Sequence, residues 1–134
     1  VHLLISISTK ILSLLIAALF WKRIEKPYRL MVIQILIAII AESLGYYIVK
    51  AYHRPNLWLF NIYELTEFLI ITYVAGFWAR TKAMKRFIFY GVLLGVCIWI
   101  ATFIQLGISY FLTWFVIFSR AFFCFYIYGF CLQM

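Results

Sequence analysis

Four short polar interruptions cut the chain into five apolar runs, at about residues 3–21, 30–49, 57–78, 87–106 and 110–131. Each run is about the length a helix needs to cross a hydrocarbon layer roughly 30 Å thick. None alternates apolar and polar residues with a period of two, as the strands of a membrane barrel would. The pattern predicts an all-α fold: a polytopic transmembrane helical bundle of about five spans, forming a single domain over 1–134.

Inside the runs the polar and small residues recur at helical spacing. Ser6, Lys10, Ser13 and Ala17 form a stripe on the first, with Lys10 near mid-span. Gln34, Ala38, Glu42 and Gly45 repeat it on the second. Small residues let helices approach closely, so both stripes are expected to face inward. In the third run the only charges are Glu64 and Glu67. At 100° per residue Asn61, Glu64 and Glu67 share one side of a helix, with Tyr63 beside Glu67. The fourth run carries Gly91-Val92-Leu93-Leu94-Gly95, a G-x-x-x-G spacing that fits a helix contact within the chain or self-association of two copies through Gly91 and Gly95. The fifth is rich in Phe and Tyr and has one charge, Arg120, near its middle.

Composition removes the soluble alternative. With 68% hydrophobic and 12% charged residues and a mean hydropathy of +1.06, 134 residues cannot build a water-facing surface. The net charge of +8 does not indicate nucleic acid, because no basic domain or RNA-binding motif is present. Most of it sits in two loops, as Lys22, Arg23, Lys26 and Arg29, then Arg80, Lys82, Lys85 and Arg86. The intervening loop holds only Lys50 and Arg54, and the turn at Gly107-Ile108-Ser109 holds no charge. The positive-inside rule therefore puts the N-terminus outside and the last residue inside, in a membrane of bacterial inner (cytoplasmic) type. The expected partners are the bilayer itself and anionic lipid head groups at the two basic loops.

Pro27 suits the first turn of the second helix. Cys97, Cys124 and Cys131 read as small buried hydrophobes rather than disulfide or metal ligands. The chain begins two residues before a span and ends without a basic anchor, so one or more further spans are expected beyond it.

Asn61-Ile62-Tyr63-Glu64 with Glu67-Phe68, preceded by Glu42-Ser43-Leu44-Gly45-Tyr46, resembles a group of uncharacterised bacterial multi-pass membrane proteins, some with seven spans. The resemblance covers the second and third runs. It implies a longer bundle and no particular activity.

The chemistry rests on charges in apolar surroundings. A carboxylate in hydrocarbon must face the bundle interior, find a partner or take up a proton. Counted along the helices at about 1.5 Å per residue, Lys10, Glu42, Glu64, Glu67 and Arg120 fall in one slab of the bilayer. Asn61, Tyr63 and Gln34 would be its neutral hydrogen-bonding shell. Two bases can neutralise at most two of the three acids, and Glu67, the deepest, is the expected surplus. Three readings follow: a binding or translocation site for a small solute or proton, in a transporter or sensor; a structural cluster that fixes helix register or assembly; and an intramembrane enzyme acting on lipid. The enzyme is disfavoured, since G-x-S-x-G, H-E-x-x-H, C-x-x-C and glycine-rich phosphate loops are all missing. The only histidines, His2 and His53, lie toward span ends, so no haem, other cofactor or metal is expected.

Overall fold

The computed structural model describes residues 2–53, 55–107 and 112–131, with side chains from Ile7 onward and leaving aside that of residue 130. These residues form five α-helices: α1 (His2–Leu19), α2 (Lys26–Tyr52), α3 (Leu57–Trp78), α4 (Lys82–Leu106) and α5 (Thr113–Cys131). A single 3₁₀ turn, Trp21–Arg23, follows α1. Three helices, α2, α3 and α4, are long and apolar enough to cross a membrane, while the apolar stretches Ile7–Leu19 and Thr113–Gly129 are shorter.

The apolar runs underestimate α2 and α4, which continue into the flanking polar segments. Residues 26–29, 50–52 and 82–86 are helical, not loop. A helix of 27 residues is about 40 Å long, more than the roughly 30 Å thickness of a hydrocarbon layer. What stops each helix is local. Pro27 stands in the first turn of α2, where its missing N–H is no loss. His53 closes α2 in a left-handed conformation, φ 50°, its N–H bonded to the Val49 carbonyl at 3.0 Å. Thr81 caps α4 by accepting the Met84 N–H at 3.2 Å. Gly107, at φ 78°, ends it. The beginning of the predicted fifth run, residues 110 and 111, lies outside the described residues.

The chain divides into two compact units, Val1–Arg54 and Pro55–Met134. In the first, α1 packs on α2. Of the stripe on α2, Gln34, Ala38 and Gly45 are buried and Glu42 is half-buried; Ala41, outside the stripe, is buried as well, and so is Ala17 of α1. Ser13, expected on the inner face, is exposed and returns its hydroxyl to the Thr9 carbonyl at 2.9 Å, which removes any need for a partner on another helix. Ser6 lies outside the described side chains.

In the second unit α4 packs against both α3 and α5. Phe68 of α3, 1% exposed, is the centre of an aromatic cluster. Its ring lies 5.5 Å from Phe115, 5.9 Å from Phe122 and 5.8 Å from Phe123, all from α5. The first two contacts are edge-to-face, the geometry that ring quadrupoles favour. Gly91 and Gly95 of α4 make room for this cluster. A Cβ on Gly95 would lie 2.7 Å from Phe68 Cε1, and one on Gly91 would overlap the Phe122 ring. The G-x-x-x-G spacing is therefore occupied within the chain by phenyl rings. The three cysteines are exposed, not buried as the runs imply. An apolar run says only that a side chain avoids water, and lipid outside a helix meets that demand as well as protein inside.

Gly91→Ala should destabilise the second unit by about 1–3 kcal/mol, since Phe122 is buried and has little room to yield. Adding Phe122→Leu should make the pair cost less than the sum of the two losses, as measured by unfolding in detergent micelles. Strict additivity would mean that the glycine and the ring do not meet.

Candidate functional site

Each unit holds one assembly of charged side chains on otherwise apolar helices. In the first, the Lys10 ammonium of α1 pairs with the Glu42 carboxylate of α2. Both side chains are about a quarter exposed, and their charges balance. Gln34, two turns before Glu42, is 5% exposed, and neither end of its amide has a hydrogen-bond partner among the described residues. Its expected place in a polar shell is thus not matched by a bond.

The second unit holds the larger assembly. Glu64 and Glu67 stand three residues apart on α3, so they differ by about 60° around the axis and about 4.5 Å along it. A single guanidinium can lie between two groups so spaced, and Arg120 of α5 does. Its Nη2 lies 3.4 and 3.3 Å from the two Glu64 oxygens and 3.4 Å from Glu67 Oε2. These distances exceed the roughly 2.7–2.9 Å of a strong charge-assisted bond. One –NH₂ group brings two hydrogens to three oxygens, so it is shared rather than locked to either acid. The carboxylates are 19% and 20% exposed, while the Arg120 side chain is 55% exposed.

Asn61 begins the polar face of α3 and is 2% exposed. Its Oδ1 accepts the Leu112 N–H at 3.3 Å, one of the amides that the start of α5 leaves without an intrahelical acceptor. Its backbone carbonyl accepts the Trp99 indole N–H of α4, also at 3.3 Å. Asn61 thus ties α3 to both neighbours and fixes where α5 begins, one turn from Glu64. Tyr63 is half-buried on the same helix. Toward the other end of α3, the Tyr126 hydroxyl donates to the Ala75 carbonyl at 2.8 Å. Trp99 and Tyr126 escape a search for charges, yet each puts a polar hydrogen in an apolar run, and that hydrogen must find an acceptor. Among the described residues no three His, Cys, Asp or Glu side chains gather in a way that could hold a metal ion.

No protein-family model, curated protein or solved structure matches the chain. Its chemistry is therefore argued from its own residues.

Arg120→Leu should strand both carboxylates and lower stability by about 3 kcal/mol, near the bottom of the range for breaking a buried pair because the guanidinium is more than half exposed. Glu64→Gln and Glu67→Gln should each recover part of that loss when combined with it. Unfolding of the wild type and these five variants in one detergent measures both couplings, and full additivity at either acid would remove that acid from the assembly.

Proposed function

We propose that this protein is a multi-pass integral membrane protein that exchanges a proton or small cation at Glu64, Glu67 and Arg120, as a transporter or membrane sensor. The membrane reading is supported by three helices of sufficient length and apolarity. It is supported too by the large apolar side chains exposed along them, such as Leu36, Ile40 and Tyr47 on α2, and Phe89, Leu93 and Ile104 on α4. On this reading α1 and α5 are spans as well, making five. On the same reading, the excess of Lys and Arg in the first and third connecting segments favours the N-terminus outside and the C-terminus inside, in a bacterial-type inner membrane.

The observation that carries the site is a charge count. With both acids ionised, the trio holds two negative charges and one positive, and one proton or monovalent cation neutralises it. Arg120 bridges the acids through a single nitrogen at long distances, leaving oxygen lone pairs for such a visitor. An exposed guanidinium on a membrane helix also needs water or further protein around it, as a hydrated path would supply. The competing reading, a structural device for register or assembly, suits Lys10 and Glu42 better, because a balanced pair asks for no third party.

Infrared difference spectroscopy of the purified protein should show a carboxyl band that titrates with pH and is lost in Glu64→Gln or Glu67→Gln. Its absence, or indifference to pH and both substitutions, would leave the trio a structural clamp. Orientation is tested separately. Single cysteines at His53 and Arg80, both exposed, in a background without the native three, should label from opposite faces of intact cells. Labelling of both from outside by an impermeant reagent would overturn the topology while leaving the site untouched.

A further inference from the structure

The turn between α1 and α2 lines an open groove of about 490 Å³ at the end of the first unit where α2 begins. Its wall is apolar, built from Ile16, Ala17 and Phe20 of α1 together with Ile24. Ile16 and Phe20 are half exposed. Two opposite charges, Arg23 and Glu25, line the same groove, with Tyr28 beside them. The charges are neither paired with each other nor bonded through their side chains to any other described residue. The neighbouring Arg29 is already engaged, its Nε donating to the Ile24 carbonyl at 3.0 Å and its guanidinium stacked 5.5 Å from the Trp21 ring. Arg23 and Glu25 are thus the two uncommitted charges at the mouth of an apolar slot.

We propose that this groove seats a zwitterionic aminophospholipid, its phosphate on Arg23, its primary ammonium on Glu25 and an acyl chain against Ile16 and Phe20. Guanidinium recognises phosphate through parallel N–H donors, and a carboxylate accepts from a primary ammonium. A purely anionic head group would satisfy Arg23 but bring nothing positive to Glu25. A choline head group carries positive charge without an N–H to donate. The charge pattern therefore distinguishes ethanolamine from both. The inference rests on α2 crossing the membrane, which puts its first turn at the head-group level.

Native mass spectrometry of the whole protein released from mixed nanodiscs tests it, with insertion into the nanodiscs recorded first. Phosphatidylethanolamine should be retained over phosphatidylcholine by roughly threefold to tenfold. Glu25→Gln should abolish that preference, and Arg23→Gln should lower retention of both lipids. Lys85→Gln, an equal loss of charge on α4, should change neither. Failure to insert would sink the membrane reading and the groove with it. In an inserted protein, the assignment is overturned by equal retention of the two lipids, by a preference for phosphatidylglycerol that survives Glu25→Gln, or by lipid loss in Lys85→Gln matching that in Arg23→Gln. Displacement by millimolar inorganic phosphate would reduce the groove to a bare anion site and overturn it too.

Discussion

A polar group on a helix surrounded by apolar material has no water to fall back on, and much of this chain is arranged around that constraint. Its hydroxyls meet the constraint at home. Thr66, Thr72 and Thr102 donate to carbonyls four residues back, and Ser119 to one three back, so none asks for a neighbour. The groups that cannot turn back on their own helix tie helices together. Asn61 receives the Leu112 amide just before α5, its carbonyl takes the indole of α4, and Tyr126 closes α5 onto Ala75. Between these fixed points lies Phe68, whose ring is clasped by α5 and seated over Gly95. The polar bonds set register, and the aromatic contacts fill what register leaves open. In lipid the filling counts as much as the bonds, because apolar contact with a neighbouring helix competes with equally apolar contact with acyl chains.

The helices were legible because hydrophobic runs and their punctuation carry nearly the whole signal. Pro27 and Gly107 mark ends that the structure uses. The stripe of Gln34, Ala38 and Gly45 was legible for a similar reason, since helical spacing and small size both point inward. Hydropathy misjudged the helix ends because helix and apolar run are different things. A backbone hydrogen-bond ladder continues through Lys26 or Lys50 without regard to side-chain polarity. Hydropathy likewise could not assign the cysteines a side.

Sequence reasoning could name the charged side chains that meet on α3 and α5 but not how they pair. That Glu64, Glu67 and Arg120 would need one another follows from the cost of an isolated charge. Assigning one acid to each base was the error of simplification. An i, i+3 spacing puts two carboxylates close enough for one guanidinium to divide itself between them, and only side-chain placement reveals that it does. Gln34 shows the opposite limit. Its helical face was readable, but whether its amide would find a partner was not, and among the described residues it has none.

An unbalanced trio argues for exchange more strongly than any one of its members does. Where fixed register is the sole requirement, a buried pair is already a poor solution, since well-packed apolar residues of similar volume often match or exceed its stability. A third charge makes that solution worse unless it is sometimes neutralised by something that comes and goes. Two features of this chain bear on that point. Lys10 and Glu42 show that it can hold a balanced pair on apolar helices. On α3 both acids lie between Asn61 and Phe68, which already hold α3 against α5 through an amide and a ring cluster. Register there does not depend on the second acid. On the reading proposed here, the surplus charge is free to serve a ligand, and a proton is the smallest that fits.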